Sequence, residues 1–144
     1  MRWIAVFAML VGSGGAASAL DGKSLFGDHC GPCHQATGEG TPGLAPPLIK
    51  RTLWSKLGAK APSYVTGVVI GGMSGPITVR GEVFDSGLAM PPKSDLADEE
   101  IAAIVSYLLT ELNSANQTAT VETVGAIRQK NLSRDALREI RGEF

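Results

Sequence analysis

Cys30-Gly31-Pro32-Cys33-His34 is the stretch on which the fold of this chain depends. It contains both of the chain's 2 cysteines, and a histidine follows directly. Two thiols at this spacing on one helical turn reach both vinyl groups of a porphyrin, and the next imidazole then faces the iron. The run therefore predicts one covalent c-type haem held by Cys30 and Cys33. His34 would ligate the iron, and its other ring N–H needs an acceptor.

Three other interpretations of the cysteines stay open at this point. A disulfide suits a secreted protein, but closing so short a loop stabilises little. Cys-Gly-Pro-Cys also occurs in thioredoxin-like dithiol sites beside a βαβ core, whereas residues 20–29 here do not resemble a strand. A structural zinc site needs four ligands, and Cys30, Cys33, His34 and His29 are too crowded to provide them.

A haem bound through His34 requires a sixth ligand from a distant part of the chain. Beyond the N-terminal segment the methionines are Met73 and Met90. Met90 precedes Pro91-Pro92, and two prolines hold a rigid loop that suits the presentation of a thioether. We predict Met90 as the ligand and keep Met73 as the alternative, although either methionine could instead fill a gap in the core.

Residues 1–19 resemble a secretory signal peptide. Arg2 provides the positive start, residues 3–11 are apolar, and Ala17-Ser18-Ala19 fits the small-x-small cleavage rule. The apolar run is shorter than the roughly 20 residues that a membrane span needs. We therefore predict cleavage after Ala19, a periplasmic location and no transmembrane segment in the mature chain.

The bulk composition argues for one small domain that does not bind nucleic acid. The chain has 144 residues and a formal net charge of −1, so it carries no basic field. Aromatic residues make up only 6%, and a haem would supply the missing core volume. Periodicity and capping signals predict helices, with a strand as the alternative for one of them and a small hairpin between two others. The expected helices are 20–30, 53–57, 61–70 (or a strand), 98–112 and 121–144, with the hairpin at 77–84.

Four motifs together resemble the class I cytochromes c over residues 21–112. They are Cys30-Gly31-Pro32-Cys33-His34, Ala45-Pro46-Pro47-Leu48, Gly87-Leu88-Ala89-Met90-Pro91-Pro92, and a last helix with Ile101, Ile104 and Tyr107. The resemblance implies an all-α fold of three to five short helices around one haem. The cytochrome domain would span residues 20–112 and carry a C-terminal helical extension.

The same resemblance implies roles for further residues. Pro47 would offer its carbonyl to His34. Gly22 and Phe26 would form the tight crossing of the first and last helices, against Ile104 and Tyr107. Asp98 would cap the last helix, because alanine stands at position 97 where the family often has Ser or Thr.

A looser resemblance concerns possible partners. Residues 71–81, with Met90 and residues 97–101, look like cytochrome subunits that serve periplasmic dehydrogenases for substrates such as alcohols or sulfite. Residues 113–144 form a linker and a charged helical tail that would wrap the domain or dock a partner. The alternative is a charged helix that is exposed to solvent and contacts neither the domain nor a partner, and we favour this alternative.

The function implied is electron transfer. Iron held by His34 and Met90 has no open position, which suits a carrier rather than an enzyme. Electrons would come from a dehydrogenase and pass to the respiratory chain through transient contacts with an oxidase, a reductase or another cytochrome. The alternatives are a haem protein whose labile methionine admits a small ligand or substrate, and a thioredoxin-like dithiol oxidoreductase.

Overall fold

The computed structural model describes residues 20–142 and shows a largely helical chain. The α-helices are α1 (Gly22–His29), α2 (Gly31–His34), α3 (Arg51–Leu57), α4 (Ala61–Gly71), α5 (Asp98–Thr110), α6 (Val121–Lys130) and α7 (Arg134–Arg141). A 3-10 turn, Gly58–Lys60, joins α3 to α4. The predicted all-α class is confirmed. The predicted signal peptide, residues 1–19, lies outside the described residues.

The predicted hairpin is present between α4 and α5. Strands β1 (Ile77–Val79) and β2 (Glu82–Phe84) pair antiparallel, with Ile77 opposite Phe84. Arg80 and Gly81 both have positive φ, which is the conformation that a two-residue hairpin turn requires. In the part of the chain that is described, no helix is both long enough and apolar enough to cross a membrane.

The crossing of α1 and α5 is the centre of the fold. Asp21 caps α1 by accepting a hydrogen bond from the Lys23 N–H at 3.0 Å. Phe26 is buried and lies with its ring centroid 5.5 Å from that of Tyr107. A Cβ placed on Gly22 would overlap the carbonyl of Ala103 and lie 3.0 Å from the Cβ of Tyr107. The predicted glycine-aromatic crossing is therefore confirmed.

The apolar stripe of α5 is fully used in packing. Its buried residues are Ile101, Ala102, Ile104, Val105, Leu108 and Leu109. The predicted cap at Asp98 is wrong, because Asp98 is already helical and Ala97 is the capping residue. The Glu100 carboxylate accepts from the Ala97 N–H at 2.8 Å. One free donor at the helix start is therefore satisfied although Ala97 itself has no polar side chain.

Helix α4 lies against both α5 and the tail. Residues 61–71 are helical rather than extended, and Tyr64, Val65 and Val69 face the core. The ring of Tyr64 lies 6.5 Å from that of Trp54, which anchors α3 to the same core.

The C-terminal tail differs from its prediction in two ways. It forms two helices, because Asn131 ends α6 in a left-handed conformation and Ser133 caps α7. It is also not a solvated helix, since Val124 and Leu137 are both 0% exposed and belong to the core. The tail therefore wraps the domain. The sequence had offered this alternative but favoured a solvated helix, because the tail is strongly charged.

The glycine at the α1–α5 crossing allows a direct stability test. We expect Gly22→Ala to lower the free energy of unfolding by about 1–3 kcal/mol, because its methyl group overpacks the contact with Ala103. Gly27→Ala is the matched control in the same helix, where a Cβ meets nothing within 4 Å. It should stabilise the protein by about 0.5–1 kcal/mol through helix propensity. Denaturant unfolding measures both, and equal effects of the two changes would contradict the crossing as described.

Candidate haem site

The two thiols are presented by one helical turn at the junction of α1 and α2. The Cys30 N–H donates to the Phe26 carbonyl at 2.9 Å, and the His34 N–H donates to the Cys30 carbonyl at 2.9 Å. The backbone thus continues helically through the run, and residues three apart share one face. Cys30 and Cys33 are free, half-buried thiols on that face. Such a pair can hold one flat group at two points.

His34 is held in a single orientation. The side chain is 6% exposed, and its Nδ1–H donates to the Pro46 carbonyl at 3.0 Å. This bond leaves Nε2 as the ring nitrogen with a free lone pair. Burial lowers the pKa of His34, opposed by the hydrogen bond to Pro46 and reinforced by nearby Lys50. Burial therefore favours the neutral imidazole, which is the form that ligates a metal.

The acceptor for His34 is one residue away from the one predicted. The expectation that the Pro47 carbonyl orients the ring is wrong, because the bond goes to Pro46. The Ala45 carbonyl accepts from the Thr41 N–H at 2.9 Å. Successive groups of an extended segment face opposite sides, so the next carbonyl, that of Pro46, faces His34 and that of Pro47 faces away.

A glycine at position 40 lets this loop close over His34. Its N–H donates to the His34 carbonyl at 2.9 Å, and its φ is +77°. A Cβ there would lie 2.6 Å from the Ala45 carbonyl oxygen and 2.7 Å from the Pro47 nitrogen. Thr41 adds a hydroxyl bond to the Cys33 carbonyl at 2.9 Å. The segment that carries the Pro46 acceptor is thus tied to the cysteine turn.

Asn113 also supports the loop and was missed by the sequence analysis, which placed it in a polar linker. It is 3% exposed. Its amide NH2 donates to the carbonyls of Leu108 at 2.8 Å and Leu48 at 3.1 Å, and its side-chain oxygen accepts from the Lys50 N–H at 2.8 Å. One side chain therefore joins the end of α5 to the loop after Pro47. An asparagine after a helix looks like any linker residue, so the sequence held no signal for this role.

The two candidate methionines face each other across a short backbone pairing. The Met90 N–H donates to the Met73 carbonyl at 2.7 Å, and the Met73 N–H donates to the Met90 carbonyl at 3.2 Å. Directly opposed residues of such a pair have their side chains on the same side. Met73 packs against the core cluster, and both side chains are partly buried. The structure thus brings together both candidates that the sequence offered.

The Met90 loop crosses the end of α4. Met90, Pro91 and Pro92 pass over Gly72, where a Cβ would lie 3.1 Å from the Pro92 nitrogen. The next residue, Lys93, donates its N–H to the Val69 carbonyl at 2.8 Å. The ammonium of Lys93 is close enough to Cys30 to act on the pKa of that thiol.

The dithiol interpretation conflicts with the environment of Cys30. Burial raises the pKa of this thiol to about 11, with Lys93 lowering it and Cys33 raising it by smaller amounts. Reactive thiols of thioredoxin-like sites have lowered pKa values instead. Over residues 20–142 the only sheet is the two-stranded hairpin, so no βαβ core adjoins the motif. In the same range no group of three or more His, Cys, Asp or Glu side chains forms a metal cluster, which leaves no zinc site of the kind considered.

These features fit a covalent haem. Two thiols share one face of a helical turn, a neutral imidazole with a free nitrogen follows them, and a thioether pair lies on a neighbouring loop. Cys30 and Cys33 would carry the thioether bonds. The chemistry that the haem supplies there is reversible one-electron exchange at its iron.

We expect Asn113→Ala to destabilise the protein by about 2–3 kcal/mol, because the Lys50 N–H and two carbonyls lose buried partners. Asn116→Ala makes the same change at an exposed position of the linker and should stay within about 0.5 kcal/mol of the unaltered protein. Thermal and denaturant unfolding of the holoprotein check both. An Asn113 effect no larger than that of Asn116 would show that the amide does not support the loop.

Comparison with known proteins gives a consistent result. Residues 19–111 match the family model described as cytochrome c. A cytochrome c-552 of Thermus thermophilus is 31% identical over 135 residues, which cover 89% of this chain and 88% of that protein. Another Thermus thermophilus cytochrome c-552 is 32% identical over 120 residues, covering 78% of this chain and 88% of that protein.

The first of these matches covers more of the chain than residues 1–111 contain, so the similarity reaches into the tail. Proteins of this family bind haem c covalently and transfer electrons, in agreement with the thiol pair and the adjacent His34. The chain therefore belongs to the cytochrome c family and is an electron-transfer protein that carries haem c on Cys30 and Cys33.

Proposed function

We propose that this protein is a periplasmic electron carrier whose haem iron is ligated by His34 on one side and Met90 on the other. The observation that carries the proposal is the buried His34 imidazole, whose Nδ1–H is bound to Pro46 while its other nitrogen stays free. A histidine fixed in this way directly after two free thiols is placed to ligate a group that those thiols also hold.

Each residue has a definite task in this proposal. The Pro46 carbonyl fixes the tautomer and ring orientation of His34 and raises its basicity as a ligand. The thioether of Met90 is neutral and soft, so it favours the less charged ferrous state and raises the potential. With His34 and Met90 both holding the iron, no position would remain for a substrate. The protein then works as an electron carrier and not as an enzyme.

The location and partners rest on sequence features. Residues 1–19 have the charge, apolar run and small-residue end of a secretory signal, with cleavage after Ala19. Residues 71–81 resemble cytochrome subunits of periplasmic dehydrogenases, and the C-terminal part of this segment forms β1 and its turn. We therefore propose a dehydrogenase as electron donor, and an oxidase, a reductase or another cytochrome of the respiratory chain as acceptor.

The choice between the two methionines is tested by a matched pair of variants. Met90→Leu should abolish the long-wavelength absorption band of the oxidised holoprotein that reports an iron–sulfur bond. The same change should lower the reduction potential, because a neutral soft ligand is lost. Met73→Leu preserves volume and should keep both properties. Loss of the band in Met73→Leu alone would assign the ligand to Met73 instead.

The carrier role is tested by the reactivity of the holoprotein. Carbon monoxide should bind the reduced protein slowly and incompletely at neutral pH, since it has to displace Met90 from the iron. The oxidised protein should be reduced rapidly when periplasmic extract and one dehydrogenase substrate, such as an alcohol or sulfite, are added together. Rapid and complete carbon monoxide binding would instead favour the ligand-binding alternative.

A further inference from the structure

We propose that the C-terminal tail is a clamp for the sixth ligand, in which Arg128 and Arg138 hold the segments around Met90 and keep its thioether on the iron. The tail is defined here as α6 and α7. This inference rests on the proposed ligation by Met90 and adds a role for a region outside the matched family segment.

Arg138 of α7 holds the segment that follows Met73. Its guanidinium donates to the Ser74 carbonyl at 2.9 Å. It also lies over Gly75, where a Cβ would be 2.8 Å from Nη2, and Gly75 has a φ of +77°. Because Ser74 adjoins Met73, whose backbone pairs with that of Met90, two short steps connect the tail to the proposed ligand.

Arg128 of α6 holds the segment that follows Met90. Its Nη1 donates to the Ser94 carbonyl at 2.8 Å, and its Nη2 donates to the Leu96 carbonyl at 3.0 Å. The Asp98 carboxylate fixes the same guanidinium through bonds of 2.8 and 3.0 Å. A planar fork with several donors can serve two carbonyls and one carboxylate at once, which a lysine cannot do.

The clamp is rigid because its two helices are packed into the core. Leu137 is 0% exposed, and its Cδ2 would be 2.7 Å from a Cβ on Gly67 of α4. Val124 of α6 is 0% exposed as well. At its end α4 leads into Gly72, directly beneath the Met90 loop. Helices α6 and α7, which carry the two arginines, therefore pack against the same core as α4, the helix that leads to the Met90 loop.

The expected consequence concerns exchange of the ligand. When imidazole replaces the methionine, the iron–sulfur bond breaks and an iron–nitrogen bond forms, and no electron or proton is exchanged. The thioether must move away for this to happen, so the backbone around Met90 has to shift. The guanidinium contacts on Ser74, Ser94 and Leu96 oppose that shift, because charge-assisted hydrogen bonds are stronger than neutral ones.

The test uses the oxidised holoprotein and measures the rate of imidazole binding. We expect Arg138→Ala to accelerate binding by about tenfold, the factor expected for loss of one charge-assisted hydrogen bond from the closed state. Arg128→Ala removes bonds to two carbonyls and should accelerate binding by at least as much. Arg138→Lys retains one donor and should recover most of the original rate. Hydrogen exchange at the Met90 amide should accelerate in both alanine variants, which gives a readout that does not depend on the iron.

Two controls separate the clamp from general effects. Arg134→Ala removes the same charge from an exposed position of α7 and should leave the imidazole rate within about twofold. Gly22→Ala lowers stability at the α1–α5 crossing without altering either arginine, and it should not reproduce the acceleration.

The outcomes are distinguishable. An iron–sulfur band in the unaltered protein with unchanged rates in both arginine variants would overturn the clamp while leaving the proposed function intact. If Gly22→Ala accelerates imidazole binding equally, the acceleration reflects a loss of global stability, and the clamp is overturned as well. Absence of the band from the unaltered protein would overturn the proposed ligation and the clamp together.

Discussion

The hydrogen bond from His34 to the Pro46 carbonyl is the contact on which the rest of the site depends. An imidazole buried this deeply must satisfy its N–H, and a peptide carbonyl does so without introducing charge. The carbonyl has to be delivered from a loop that begins only after the cysteine turn, so the chain reverses sharply. Gly40 makes that reversal possible, and Asn113 holds its far end against the last helix of the cytochrome domain. The part of the site around His34 is thus formed by residues close together in sequence, and one distant residue, Asn113, stabilises it.

The methionine side is built differently. Met73 and Met90 meet through two backbone bonds of an isolated bridge, which is too short to be stable alone, and both residues lie outside the helices and strands. Support comes from Gly72 beneath the loop and from the arginines of the tail. Under the proposed ligation by Met90, the thioether is a weak ligand whose retention depends on where the backbone holds it. This side therefore needs external support more than the side of His34 does, because Cys30 and Cys33 hold that side to the haem covalently.

Several features were predictable because local chemistry dictates them. The cysteine turn and the apolar stripe of α5 follow from spacing within one element or from a motif with a geometric requirement. The Gly22–Phe26 crossing, in contrast, was predicted from the resemblance to the class I cytochromes c. The acceptor for His34 was misplaced by one residue, since consecutive prolines both offer carbonyls and only the direction of the loop decides between them. The capping residue of α5 was also predicted one residue away from its observed position. Glu100 bonds to the backbone of Ala97, and Asp98 binds Arg128 instead of capping the helix.

The tail was the least predictable part, and the reason lies in its bonding partners. Its sequence is strongly charged, and a charged helix is usually solvated. Here, however, Arg128 and Arg138 have a structural role, and apart from the Asp98 carboxylate their acceptors are main-chain carbonyls, which the sequence does not reveal. The apolar residues that dock the tail are few, and one of them, Leu137, fits only because α4 has a glycine opposite it. The carbonyls that Arg128 and Arg138 bind belong to the segments that follow the two methionines. Under the proposed ligation by Met90, the placement of these contacts links the tail to the iron site as well as to the stability of the domain.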